Sequence, residues 1–328
     1  MKILVIGQQL HSPHIVTGLQ TFNIFLCHSL RELGHEVHYA IAQGTFSPVA
    51  QMQTRAVSGS HTFHLHPNDM QRALARYDQL ILSDDRLDFG GILRATQRPA
   101  LVWSHGQHIS PLRHWDGAEL RLPGVQYVAI NGEHLAEAQA RGFEKQAVMI
   151  DMPVQFFPRT VRPGGGYCAA VGTLEERKNY PRVVEIADEM GVACRAYGAP
   201  ASDEVKAAVE KSDLDYRGLQ PREVVLNDLA GADFLIHAAE VEGRPTAVLE
   251  ANGLGVPVIC PDLPLYREFV NPARNVLLDP ARPAAEQLAE VDLDALRSEE
   301  NRQALAEETH AKYGVEAFRA ALAGLLGV

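Results

Sequence analysis

The sequence predicts an α/β protein built of two tandem doubly wound domains. Three observations carry this reading. A β-α-β unit opens the chain over residues 3–41, a stretch rich in Pro and Gly interrupts the pattern over 151–166, and strands and helices then alternate afresh. At 328 residues the chain is long for one core and suits two domains of ordinary size.

Ile3–Ile6 reads as a first buried strand, followed by a long loop from Gly7 to Thr17 and a helix from Gly18 to Leu33. The helix shows Leu19, Phe22, Leu26, Leu30 and Leu33 in steps of three and four, and Gly34 stops it. Glu36–Ile41 returns as a strand, and further strands are predicted at Gln79–Ser83, Ala100–Ser104, Gln126–Ile130 and Ala147–Ile150. Asn131 caps a helix that Gly142 ends. Past the interruption come strand Tyr167–Val171, helix Tyr180–Met190, strand Ala193–Tyr197, helix Asp203–Lys211, a short strand at Tyr216 and helix Pro221–Leu229. The stretch Asp233–Cys260, DFLIHAAEVEGRPTAVLEANGLGVPVIC, then reads as a buried strand, a loop, a helix opening at Pro245 and a second strand. The remainder reads as helical, near 283–291, 293–308 and 313–326. The expected division is residues 1–155, residues 164–310, and a C-terminal helix at 311–328 that returns to the N-terminal domain. Two such domains are expected to bring the C-terminal edges of both sheets to a shared cleft, the usual ligand position in open α/β sheets.

Composition narrows the class. Hydrophobic residues at 46% and charged ones at 22% are those of a folded, water-soluble chain, and no apolar run is long enough to span a bilayer. MKILVIG shows no signal-peptide pattern and reads as a strand. The four Cys at 27, 168, 194 and 260 lack metal-type spacing, so free thiols in a reducing, cytoplasmic setting are expected. The net charge of −11 falls on residues 151–328, with 18 basic against 29 acidic side chains, whereas residues 1–150 balance at 12 and 12 and hold twelve of the 14 His. The first half therefore meets an anionic partner with less repulsion than the total suggests.

Proline suits the start of a helix, and the amides of Thr246 and Ala247 are expected among its unpaired donors, a setting that attracts anions. Glu242 and Glu250 bracket this helix start, Glu250 lying more than a turn inside, too deep to gain much from the helix dipole. In GTLEERKNY, Gly172 ends a strand and Lys178 stands just before the next helix, where an ammonium can neutralise a diphosphate. His105 follows the strand in VWSHGQHISPLRHW, with His108, Arg113 and His114 beyond it. His61, His64 and His66 have no matching Cys or carboxylate cluster and read as solvated loop residues, not metal ligands. Asp84, Asp85 and Asp88 read as a solvated turn. No GxGxxG follows the first strand, and no GxSxG or Walker A motif occurs, which counts against a plain dehydrogenase, an α/β-hydrolase and a P-loop enzyme.

EGRPTAVLEANGLGVPVI resembles the E-x7-E signature of retaining glycosyltransferases of the GT-B fold, in particular glycosyltransferase family 4, with Glu242 and Glu250 as the two acids. GTLEERKN is similar to that family's strand–Gly–Arg–Leu–Lys–Gly segment, with Gly172, Leu174 and Lys178 in matching places. PLYREFV, with Glu268, extends the likeness. The chain departs from the pattern at Thr173, where an arginine that contacts diphosphate is usual, at Asn179, where glycine is usual, and at Thr17-Gly18, where the family has Gly-Gly. Arg177 is placed to compensate for Thr173.

The resemblance implies a GT-B hexosyl- or pentosyltransferase that takes a nucleotide-diphosphate sugar, with UDP-sugar the expected co-substrate and no cofactor or metal ion. It implies that Lys178, Glu242 and His105 serve the chemistry. Glu250, Thr246, Ala247, Gly243, Gly172, Thr173, Arg177 and Gly18 would hold the donor. In this picture Glu250 takes the ribose hydroxyls, Glu242 the hydroxyls of the transferred sugar, and Lys178 the leaving diphosphate. A nucleotide-sugar epimerase or hydrolase on the same fold, and a binding protein without turnover, are the alternatives. The acceptor stays open among a small molecule, a glycan and a modified base in DNA.

Overall fold

The computed structural model describes residues 1–7, 18–41, 59–64, 70–84, 87–105, 110–154 and 161–328. The chain divides into two compact units, Met1–Pro153 with Val315–Val328, and Val154–Gly314.

The first unit holds a sheet of seven parallel strands: β1 (Lys2–Gly7), β2 (Glu36–Ile41), β3 (His61–His64), β4 (Gln79–Ser83), β5 (Ala100–Trp103), β6 (Val125–Ala129) and β7 (Ala147–Met149). Their order is β3-β2-β1-β4-β5-β6-β7. Central strands such as LVIG and QLILS are apolar without alternation because helices cover both faces of a parallel sheet. On one face the helix Gly18–Glu32 and the C-terminal helix Val315–Leu326 share a core of Phe22, Leu26, Leu30, Trp103, Phe318 and Leu322. On the other, Phe89, Ile92 and Leu93 of the helix Phe89–Thr96 pack with Leu80, Leu82 and Phe143. Strand order reverses between β1 and β4, so the carboxyl ends of these strands, at Gly7 and Ser83, lie at a topological switch point.

Strand β3 corrects the loop reading of His61 and His64. HTFH is a short edge strand with Phe63 as its one apolar residue, so no alternating apolar face betrays it, and the His61 ring sits edge-on to His38 at 5.2 Å. His66 lies outside the described residues.

The second unit has six parallel strands, β8 (Tyr167–Val171), β9 (Ala193–Tyr197), β10 (Asp215–Gly218), β11 (Phe234–Ile236), β12 (Val258–Pro261) and β13 (Val276–Leu278), in the order β10-β9-β8-β11-β12-β13. Its switch point falls between β8 and β11. The all-helical reading of the chain after Cys260 is corrected by β13, which is three residues long and pairs with β12; so short a run carries no period. A helix at Pro264–Phe269 lies within PLYREFV. All four cysteines are buried and free.

Arg302 ties this unit together. It is fully buried on the helix Glu299–Tyr313, and its Nη1 and Nη2 donate to the carbonyls of Ala232 and Ala230 at 2.9 and 3.0 Å, just past and at the end of the helix Arg222–Ala230. Hydrogen bonds from a charged donor contribute roughly 1.5–3 kcal/mol each, so Arg302→Met is expected to cost about 3 kcal/mol or more. The check is the urea midpoint followed by circular dichroism, which should fall clearly. An unchanged midpoint would contradict this role.

Candidate functional site

The loop after β8 is shaped by two glycines. Gly172 has φ 152° and Gly198, at the end of β9, has φ 151°; a Cβ on Gly198 would overlap the Gly172 carbonyl oxygen. The two strand ends therefore touch backbone to backbone. Leu174 is fully buried and its amide donates to the Ala199 carbonyl at 2.9 Å, which pins the loop against the neighbouring strand end. Glu176–Lys178 makes one 3-10 turn, and Asn179 reverses the chain into the helix Tyr180–Met190 with φ 50° and ψ 51°. This left-handed conformation is the one glycine adopts freely and asparagine tolerates, which accounts for Asn179 where the resembling family carries glycine. The Lys178 side chain runs over Gly172, whose missing Cβ would sit 3.5 Å from Lys178 Cε and 3.6 Å from Nζ. Thr173 is exposed.

The loop after β11 meets it across the switch point. Tyr266 donates its hydroxyl to the Ala239 carbonyl at 2.6 Å, and Arg177 Nη1 donates to the Val241 carbonyl at 3.2 Å. These contacts hold Glu242 at the centre of a charged cluster. Its Oε1 pairs with Lys178 Nζ, its Oε2 lies 3.2 Å from Arg177 Nη1, and His237 Nε2 lies 3.5 Å from Oε1. Glu242 and Lys178 side chains are only 9% and 13% exposed, so water screens the pair weakly. Burial opposes ionisation of Glu242. The neighbouring His237 and the Lys178 ammonium outweigh it and hold the carboxyl down at about 2. Burial lowers the pKa of His237 itself, against the pull of Glu242.

Buried Gly243 follows, and then the helix Thr246–Gly253. Pro245 stands immediately before this helix, with φ −81° and ψ 72°, and not as its first residue. The Thr246 amide donates to the Arg244 carbonyl at 2.9 Å, which corrects the expectation of an unpaired donor there; the turn at Pro245 folds that carbonyl back toward the chain. Ala247 is the second helical residue. Glu250, 4% exposed, is paired with Arg222 Nη2 from the start of the helix Arg222–Ala230. Burial raises the Glu250 pKa while Arg222 opposes the rise. Each acid of the E-x7-E stretch thus has its own cation.

In the first unit, His105 lies just beyond β5 and is half-buried. Its Nε2 is 2.9 Å from Ser83 Oγ and its ring packs on Phe22 at a centroid distance of 4.9 Å. Gly18 is the exposed first residue of its helix. Thr17 and His108 lie outside the described residues. Arg113 is within 3.5 Å of Glu133, and His114 ends a short 3-10 turn. The solvated-turn reading of the acids after β4 is corrected at Asp84, which is 1% exposed; Asp88 is exposed and accepts the Gly91 amide at 2.9 Å as a helix cap. Asp85 lies outside the described residues. No group of three metal-ligating side chains occurs among the described residues.

The structure thus brings together Gly172, Arg177, Lys178 and Glu242 in the second unit, with Gly243 beside Glu242 and Thr246, Ala247 and Glu250 following on the adjoining helix. His105 and Gly18 belong to the first unit. Sequence reasoning missed His237 and Arg222. His237 carried a signal, for it follows its strand in DFLIH as His105 follows the strand in LVWSH. Arg222 carried none, being 28 residues from its partner.

Residues 153–312 match the family model described as Glycosyl transferases group 1, so this segment carries a glycosyltransferase domain. No curated protein matches the chain. Among solved structures, the chain is similar to Alr3699/HepE of Anabaena in complex with UDP, at 14% identity and a TM-score of 0.76 with 100% of both chains covered. It is similar to the G117R mutant of TarM from S. aureus in complex with fondaparinux, α-GlcNAc-glycerol and UDP, at 9% identity and a TM-score of 0.78, again with 100% of both chains covered. The pneumococcal O-GlcNAc transferase GtfA in complex with UDP and GlcNAc matches at 12% identity and a TM-score of 0.73 over 99% of each chain. The fold is GT-B.

Proposed function

We propose that this GT-B glycosyltransferase moves a sugar from a UDP-sugar to an acceptor hydroxyl with retention of configuration, in the manner of glycosyltransferase family 4. The observation that carries the proposal is the cluster of Lys178, Arg177 and Glu242 at the switch point of the second unit, inside the segment that matches the family model. UDP in the similar structures supports the choice of nucleotide. Residues 164–310 would hold the donor and residues 1–155 the acceptor, a small molecule or a glycan.

Lys178 and Arg177 supply positive charge for the diphosphate, Arg177 taking the part that Thr173 cannot. Glu242, held ionised, accepts hydrogen bonds from the sugar hydroxyls, and Glu250 accepts those of the ribose; charged acceptors make these bonds stronger than neutral ones. As the bond from the anomeric carbon to the diphosphate oxygen breaks, the acceptor oxygen forms the new bond on the same face. Its proton passes to the leaving phosphate. Two protein cations beside the diphosphate make a metal ion unnecessary for this charge stabilisation. Four buried free thiols, and the absence among the described residues of any helix long and apolar enough to cross a membrane, support a cytoplasmic setting.

The test is turnover with a panel of UDP-sugars and pooled acceptors, with and without EDTA, followed by proton NMR of the product. Retained anomeric configuration and equal rates in EDTA are expected. An inverted product, or loss of turnover in EDTA, would contradict the proposal.

A further inference from the structure

A chain of hydrogen bonds in the first unit ends on His105, and it dictates which ring nitrogen carries the proton. Asn23 is fully buried on the helix Gly18–Glu32, and its Nδ2 faces the Tyr39 hydroxyl at 3.2 Å and the Ser83 carbonyl at 3.4 Å. A carbonyl only accepts, so the amide nitrogen must be the atom turned toward it. Asn23 Oδ1 is thereby left facing Ser83 Oγ, and that contact requires the Ser83 hydroxyl proton. Ser83 Oγ also lies 2.9 Å from His105 Nε2. Its proton is already donated to Asn23, so toward His105 it can only accept.

We propose that Asn23 and Ser83 are positioning residues that hold His105 as the Nε2–H tautomer, leaving Nδ1 as a hydrogen-bond acceptor for a hydroxyl group of the substrate. The last clause rests on reading His105 as a site residue; the tautomer does not. Burial lowers the His105 pKa to about 3, with Asp84 opposing and His134 adding to the fall, so the ring is neutral at working pH and one nitrogen is bare. Gly7, at the end of β1, leaves room for the network, since a Cβ there would sit 2.9 Å from Asn23 Nδ2 and 3.1 Å from the Ser83 carbonyl. The chemical consequence is selectivity. A bare Nδ1 takes a hydroxyl donor, whereas the opposite tautomer would present an N–H suited to a carbonyl or phosphate oxygen.

The experiment is long-range proton–nitrogen correlation NMR of the full chain labelled at histidine nitrogens, with steady-state kinetics on the same samples. The His105 ring should show the Nε2–H pattern in the parent protein. Ser83→Ala should lose that pattern and raise KM about tenfold, roughly the effect of one hydrogen bond, while Ser83→Thr, which keeps the hydroxyl, should restore both. An Nδ1–H or doubly protonated ring in the parent would overturn the relay, and this reading needs no variant to fold. A Ser83→Ala protein with the parent's ring pattern would overturn it as well. If the relay is present but His105→Ala turns over like the parent, the substrate-hydroxyl assignment is overturned together with the place of His105 in the site, and the reading of Lys178 and Glu242 is untouched.

Discussion

Lys178→Ala is expected to lower kcat with a UDP-sugar by about 10²–10³-fold, the range seen when one preorganised donor to a developing negative charge is removed. The Lys178 ammonium stands over Gly172 in a poorly exposed position, so its field acts through little water. Charge grows on the diphosphate as the glycosidic bond breaks, and the ammonium therefore stabilises the transition state more than the bound donor. The loss should fall on kcat more than on KM. Arg177, 3.2 Å from Glu242 in the parent, is expected to sustain a residual rate. Steady-state kinetics checks this; a change within a few-fold would remove Lys178 from its assigned role.

The same variant has a signature in acid. The Glu242 carboxyl is depressed to about 2 in the folded protein from an ordinary value of 4.5. Its stabilising contacts are therefore fully present above about 4.5 and are lost as pH falls through about 2. Without Lys178 the folded pKa rises toward 4.5, and the acid-unfolding midpoint should move to higher pH.

Glu250→Ala is expected to act on the other kinetic constant, raising KM for the donor about 100-fold with kcat within a few-fold. Ribose hydroxyls keep their partner from bound donor to transition state, and contacts made equally in both states set affinity without changing the chemical step. Arg222 enters here. Burial raises the Glu250 pKa, and Arg222 is what opposes the rise. Neighbouring basic groups have partners of their own: His310 at the Gly253 carbonyl, Arg302 at Ala230 and Ala232, and Arg244 over the rings of Phe269 and Tyr313. In Arg222→Gln the carboxyl should hold its proton to higher pH, so donor binding should weaken at the acid end and recover as pH rises. A parallel pH profile for parent and variant would contradict this.

The architecture was legible where long apolar runs or capped helices write it into the chain. Tyr167–Val171 and Tyr180–Met190 lie where the sequence places them, because a buried parallel strand is a plain apolar run and Pro181 suits a first helical turn. Strands β3 and β13 were not legible, since a four-residue strand with Phe63 as its one apolar residue, or a run of three apolar ones, carries no period at a sheet margin. Glu242, Glu250 and Lys178 were legible through spacing and resemblance. Their individual partners were not, because Arg222 and His237 reach the two acids through the fold and not through sequence proximity. Thr246 shows the converse failure. Its amide was expected free from helix rules alone, and the turn at Pro245 supplies a carbonyl that those rules do not contain.

The most direct test is calorimetric titration of UDP into the parent protein and into the Lys178→Ala, Glu250→Ala and His105→Ala variants. Binding to the parent is expected, with affinity reduced at least about tenfold by each of the first two changes and unchanged by the third. UDP binding of parental strength in both Lys178→Ala and Glu250→Ala would contradict this reading of the site.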